Sequence, residues 1–300
     1  MRRLNISATA LEALLCPVCA EQLGLNETGT PGAVCASGHR FDFSRYGYLN
    51  LLSGTPSKFT PESAEMVQAR SDFLSAGYFA PLAAELSSLL KRHAPAQRVD
   101  SLLIDAGVGT GYYLSLLRES FPGLSAIGLD LSPLALRQAV RNNPETLQVV
   151  WDLWRPWPLA AKTADVITVV FAPRNASEFH RVLRHDGILM VVTPLAEHLE
   201  GLPLFAGRLS QQPGKHAVLH EGLAEHFELA EESEVRLSLQ LGNEAAKSLV
   251  MMGPSGHHLE EEVLQDALDA ASYQVQAAFR VSVFRPFRLA AQHSVLSWSR

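Results

Sequence analysis

Three cysteines occur in 300 residues, and all lie within the first forty positions. Cys16 and Cys19 form a C-x2-C knuckle, and Cys35 and His39 form a C-x3-H knuckle. Zinc takes four tetrahedral nitrogen or sulfur ligands, and two short knuckles on facing hairpins supply them. Pro17 beside the first pair and Gly38 inside the second suit the tight turns that make two ligands converge. Three thiolates and a neutral imidazole fill the coordination sphere, so the expected site is structural. About forty residues bury little core, and a bound metal would supply the missing stability.

A second chemistry-bearing stretch is IDAGVGTGYY, where Asp105 is followed by Gly107, Gly109 and Gly111. Glycines between a strand and a helix let backbone pass close to a ligand at the sheet's carboxyl edge. The dinucleotide fingerprint G-x-G-x-x-G fails in both registers, because Tyr112 and Leu114 stand where its third glycine is required. Asp105 precedes the glycines, where a zwitterionic ligand's ammonium would meet it. Asp130 ends the next strand, where a carboxylate accepts two ribose hydroxyls, and Asp152 follows the third, near an adenine amino group. Three acids at successive strand ends fit S-adenosylmethionine, an amino acid joined to a nucleoside without a pyrophosphate.

The elements that must hold these residues alternate. Buried strands are expected at 99–105, 124–130, 147–151, 164–171 and 188–194. Helices are expected at 112–121, 132–143 and 176–187, the last stopped by Gly187. The alternation predicts an α/β, doubly wound, Rossmann-like sheet. Ahead of it, 53–61 reads as a linker, a helix starts with Pro61 and Glu62 in its first turn, and another spans 80–93. Behind it come a strand near 235–241, helices near 243–251 and 259–271, and a strand near 274–285. The resulting division is 1–52 for a zinc ribbon, 53–98 for linker and helices, and 99–300 for the sheet domain.

The net charge of −6 is unevenly spread. Residues 1–196 are balanced, 197–269 carry −10 and 270–300 carry +4. The first two-thirds are therefore free to offer local positive surface to a polyanion. Just after the second knuckle, Phe41, Phe43, Tyr46 and Tyr48 interleave with Arg40 and Arg45. The aromatics are expected mainly to pack around the metal, while Arg40, Arg45 and Lys58 are candidates for RNA contact. An odd cysteine count without an export pattern argues against a disulfide scaffold, and Glu12 interrupts the only apolar N-terminal stretch. No run approaches the ~20 apolar residues of a membrane span. A reducing cytoplasm and no membrane partner are expected.

Taken together, C-P-x-C, C-x3-H-x-F-D, G-Y-x-N-L-L, SAEMVQARSDFLSAG, the Gly107–Gly111 loop, FAPRN (171–175) and MGPS (252–255) resemble the RlmA family of 23S rRNA guanine-N1 methyltransferases. FAPRN and MGPS look closer to its Gram-positive, tylosin-resistance branch, which modifies a hairpin guanine near the macrolide-binding tunnel. The resemblance implies zinc on Cys16, Cys19, Cys35 and His39, and donor contacts along Gly107, Gly109, Gly111, Tyr112, Asp130 and Asp152. It also implies that position 79 and His198 approach the donor. Family members often read His-Tyr at 78–79, whereas this chain has Tyr78-Phe79, so a polar contact there is lost or moved.

On this reading a guanine is flipped into the pocket and its N1 attacks the donor methyl. FAPRN backbone carbonyls would hold the base, with Arg174 on a phosphate or the guanine O6, and no general base stands out. The expected partner is 23S rRNA or a ribosomal precursor, with a homodimer left open. Two other readings use the same residues: a small-molecule methyltransferase with the ribbon as a lid, and a non-catalytic zinc-dependent RNA-binding protein.

Overall fold

The computed structural model describes residues 6–26, 30–52, 57–95, 100–205, 222–253, 264 and 266–287. Most of the expected 259–271 helix lies outside these residues, as do positions 53–56 of the linker, Pro254 and Ser255 of MGPS, and His257 and His258.

The N-terminal part begins with α1 (Ala8–Glu12) and a three-stranded antiparallel sheet of β1 (Gly24–Leu25), β2 (Gly32–Val34) and β3 (Arg40–Asp42). It does not stand apart from the rest. Leu14 bridges Leu159, Leu15 N donates to Pro158 O, and Ala160 N donates to Ala13 O. β4 (Leu49–Asn50) then pairs in parallel with β7 (Leu147–Val150) and becomes the edge strand of the large sheet.

That sheet contains β5 (Leu102–Ala106), β6 (Ser125–Asp130), β7, β8 (Ala164–Val170), β9 (Leu183–Pro194), β10 (Phe227–Gly242) and β11 (Ser272–Pro286). Its order is β10-β11-β9-β8-β5-β6-β7-β4. β11 runs antiparallel to both neighbours, whereas β4 to β9 pair in parallel. β5 and β8 are buried along their whole length, as parallel strands covered on both faces must be. The order reverses on either side of β5, so the loop leaving β5 opens into the crevice where α/β sheets bind ligands.

Helices α2 (Ala64–Ser75), α3 (Ala80–His93), α4 (Tyr112–Ser120), α5 (Pro133–Asn142), α6 (Ala176–Val182) and α7 (Asn243–Met251) flank the sheet. α2 and α3 meet at 75° and bury Phe73, Leu74, Leu82, Leu86, Leu89 and Leu90 in the core. No single helix among the described residues is long and apolar enough to cross a membrane.

Two expected helix boundaries move by several residues. α2 begins after Ser63, whose side chain accepts from Met66 N at 3.2 Å. A capping hydroxyl outranks Pro61 and Glu62 as the start signal, and Glu62 pairs with Arg70 instead. α6 ends at Val182, because Leu183 adopts φ −69°, ψ 135° and pairs with Ala164. Gly187 is thus within a strand and not a helix stop. A Cβ there would come within 2.8 Å of Leu183 Cδ1 and 2.9 Å of Asp165 O, so its role is close passage of backbone.

Candidate functional site

The two knuckles close as turns. Cys16 N donates to Glu21 O and Ala20 N to Cys16 O, with Ala20 left-handed at φ 60°. Cys35 N donates to His39 O and Gly38 N to Cys35 O, with Gly38 at φ 84°. These turns bring one ligand atom each of Cys16, Cys19, Cys35 and His39 within 4.8 Å of one another. Cys19 Sγ lies 3.6 Å from Cys35 Sγ, which lies 3.3 Å from His39 Nδ1. A tetrahedral zinc sets such separations at about 3.5–3.8 Å, which these two contacts approach, and three thiols with an imidazole are the donor set that ion takes. Glu21 braces the cluster by accepting from Ser37 N at 2.9 Å.

At the crevice, the loop after β5 bends through Gly107 (φ 84°), Gly109 (φ 55°) and Gly111 (φ 77°). A Cβ on Gly107 would lie 2.3 Å from Ala172 Cβ, and one on Gly111 would lie 2.5 Å from Asn143 Nδ2. At Gly109 the nearest atoms would be those of Arg70, at 3.7 Å, which leaves that side of the loop open for a ligand.

The three expected acids lie around this loop. Asp130 accepts from Gly109 N and Ser132 N, both at 2.8 Å, one on each oxygen. Each oxygen keeps a further lone pair, which is the capacity two ribose hydroxyls require. Burial raises the Asp130 pKa, against the lowering effect of those bonds. Asp105 is buried and accepts from Thr168 Oγ1 at 2.8 Å; burial lifts its pKa to about 7. Asp152 accepts from Ser57 Oγ at 2.8 Å and from Trp154 N at 3.1 Å.

Two residues that the sequence did not single out complete the cradle. Arg70 on α2 pairs with Glu62 and donates to Met252 O at 2.7 Å, while its Nε is buried without a hydrogen-bond partner among the described residues. Tyr113 OH is also buried and unpartnered. Two donors beside a glycine loop and a buried acid suit an amino-acid-like ligand carrying both a carboxylate and an ammonium. The available signal was Arg70 itself, a charge next to the apolar stripe of Met66, Ala69, Phe73 and Leu74.

Of the other expected donor contacts, Tyr112 is half-buried against Tyr113, with ring centroids 5.1 Å apart. Phe79 is 1% exposed, its ring set edge-on to Phe73 and Phe279. His198 Nδ1 accepts from Ala278 N at 3.3 Å, so the proton of the neutral ring sits on Nε2. Burial lowers its pKa to about 4.

FAPRN follows β8. Phe171 is 44% exposed, and its backbone is left-handed at φ 54°. Its ring lies 5.4 Å from that of buried Phe279 and 6.4 Å from that of His198, centroid to centroid. An exposed aromatic held in a costly conformation beside a ligand loop is a functional signal that no sequence pattern discloses. Arg40, Arg45, Lys58 and Arg174 are exposed and carry no ion pair among the described residues. They lie on β3, the β3–β4 turn, the segment before α2 and the β8–α6 loop.

The family described as "RlmA, N-terminal", a zinc ribbon, matches residues 14–55, and one described as "Methyltransferase domain" matches residues 103–187. The 23S rRNA (guanine(748)-N(1))-methyltransferase of Streptomyces fradiae is 38% identical over 84% of this chain and 88% of its own. A Micromonospora griseorubida protein named for the same reaction class is 40% identical over 92% of this chain and 98% of its own. The chain belongs to the 23S rRNA (guanine-N1)-methyltransferase family. A Bacillus subtilis family member is 33% identical over 63% of this chain. Two actinomycete relatives agree with the branch that FAPRN and MGPS suggested. As in its family, the chain joins a zinc ribbon with a Cys3His cluster to an S-adenosylmethionine-dependent methyltransferase domain.

Proposed function

We propose that this enzyme methylates N1 of a guanine in a 23S rRNA hairpin near the macrolide-binding region, using S-adenosylmethionine. The observation that carries this is the contact between Gly107 and Ala172: the donor loop and the FAPRN segment touch, so an acceptor on FAPRN stands beside a donor on the loop. Parts 1–52, 53–98 and 99–300 then serve as RNA grip, connection and catalytic body, in a cytoplasmic enzyme.

The donor supplies an electrophilic methyl on a sulfonium. Asp105 would face its ammonium, Arg70 and Tyr113 its carboxylate, Asp130 its ribose and Asp152 its adenine amino group. Phe171 offers a ring face on which a flipped guanine can stack, and the carbonyls of 172–174 can hold its edge. Orientation of N1 toward the methyl supplies most of the acceleration. The N1 proton has to leave before or during attack. His198 does not take it in the observed arrangement, since its Nδ1 is engaged by Ala278 N and Nε2 carries hydrogen. The proton passes to solvent. Zinc on the four knuckle ligands holds Arg40 and Arg45 in place, and Lys58 and Arg174 add contacts to the RNA backbone.

The deciding experiment is mass mapping of 23S rRNA after incubation with enzyme and donor. One N1-methylguanine in a hairpin near the macrolide tunnel is expected; an unchanged guanine pattern defeats the reading.

A further inference from the structure

Tyr46 contacts two arginines from different parts of the chain. The Arg45 guanidinium sits 4.8 Å from its ring centroid, and that of Arg137, on α5, sits 4.2 Å away. Arg45 Nη2 also donates to Tyr46 OH at 2.6 Å. Arg141 is one helical turn beyond Arg137 and is exposed. The Tyr46 hydroxyl titrates below its ordinary range, first through the Arg45 bond and then through the charges of Arg137, Arg45 and Arg141. The three cations therefore share one locality.

None of the three has an ion pair among the described residues, although arginines elsewhere do. Arg118 meets Glu145, Arg181 meets Glu178, and Arg280 meets Glu234. Among the described residues, Arg141 bonds the side-chain oxygen of Gln138, and Arg137 Nε is buried without a hydrogen-bond partner. Three uncompensated guanidinium groups repel one another in a chain of net charge −6. A tyrosine ring in contact with two of them restricts both in advance, which lowers the entropy lost when each grips an oxyanion.

We propose that Arg45, Arg137 and Arg141 form a single phosphate-binding patch across the seam between the zinc ribbon and α5, and that it takes the backbone of the RNA substrate. The inference rests on the proposed function and adds to it two residues of the catalytic body. Its location supports the role. Ser132 caps α5, and its N–H donates to Asp130, the acid assigned to the donor ribose. Arg137 is five residues further on, about 7.5 Å along the helix axis. RNA held there passes within one or two helical turns of the donor site.

The test measures binding of the 23S hairpin to full-length, zinc-loaded enzyme by fluorescence anisotropy across a salt series. The Arg137→Gln/Arg141→Gln double variant is expected to bind about tenfold more weakly at moderate salt. Two lost phosphate contacts should also reduce the slope of log affinity against log salt by about 1.5. Donor affinity by calorimetry, zinc content and melting temperature should stay as in the wild type. A wild-type slope and affinity in the double variant overturns the patch. So does a loss that tracks zinc release or a fall in melting temperature, which would make Tyr46 and its arginines a structural staple. Competition by poly-glutamate as effective as that by RNA of equal charge would assign the patch to an acidic protein partner and also overturn it. Failure of the wild type to methylate a guanine N1 is read separately by mass spectrometry and defeats the function, while the salt series still judges the patch.

Discussion

Ser57 and Asp152 lie ninety-five positions apart in sequence, yet Ser57 Oγ donates to Asp152 Oδ2 across 2.8 Å. The same Ser57 oxygen accepts from Phe59 N at 3.1 Å. The segment entering α2 is thereby fastened to the acid proposed above to meet the donor's adenine. Ser57→Ala is expected to weaken donor binding about three- to tenfold, the net value of one ordinary hydrogen bond, with zinc content unchanged. Calorimetry decides, and an unaltered dissociation constant would show that the bond positions nothing.

Metal removal should act on RNA binding before it acts on the donor. Wild-type enzyme is expected to hold one zinc per chain by elemental analysis, and Cys35→Ser to lose it. The melting temperature of the variant should fall by at least about 5 °C, and hairpin binding should be lost. Because the Gly107–Gly111 loop lies on another element, donor affinity should change by less than about threefold. Wild-type protein with no stoichiometric zinc would refute the metal assignment.

Asp105 gives a pH signature. Burial raises its pKa from the ordinary 3.8 to about 7, so the folded protein without donor binds an extra proton between those values. That stabilisation is complete below about pH 4 and is lost as pH rises through about 7. Donor binding runs the other way, because an ammonium prefers the ionised acid. Affinity should therefore rise toward pH 7–8, by up to about tenfold per pH unit below the apparent pKa. Calorimetry in Asp105→Asn should return a weak and flat profile; a variant that keeps the wild-type slope would remove Asp105 from the ammonium site.

Phe171 separates stability from activity. Its left-handed backbone costs on the order of 1–3 kcal/mol, which Phe171→Gly relieves while giving up contact with Phe279. The melting temperature should move by less than about 3 °C. Turnover of the hairpin, as kcat/KM, should drop at least tenfold with donor affinity intact, and Phe171→Trp should restore most of it. A glycine variant as active as wild type would exclude the stacking role.

How much was legible depended on whether a feature is local. α3 at Ala80–His93 and α7 at Asn243–Met251 fall where periodicity and punctuation placed them. The metal ligands and the three strand-end acids were legible because the motif carries the geometry: a knuckle closes within four residues, and a strand end is fixed by its burial pattern. β10 runs from Phe227, well ahead of the expected 235, because its first half is exposed and rich in glutamate and so hides a strand in a polar stretch. β4 has two residues and therefore no period to detect. Arg70, Phe171 and Arg137 depend on neighbours far along the chain, so composition around them says nothing of what they face.

The pairing of Leu49–Asn50 with Leu147–Val150 has a practical consequence. A shortened protein starting at residue 53 would not be a clean catalytic half. It would present a row of unpaired amides and carbonyls along β7, flanked by the apolar surface that Leu14 and Leu51 now cover. Bare margins of this kind recruit other chains, so such a fragment should emerge from cells as insoluble aggregate, while the full-length enzyme stays dispersed.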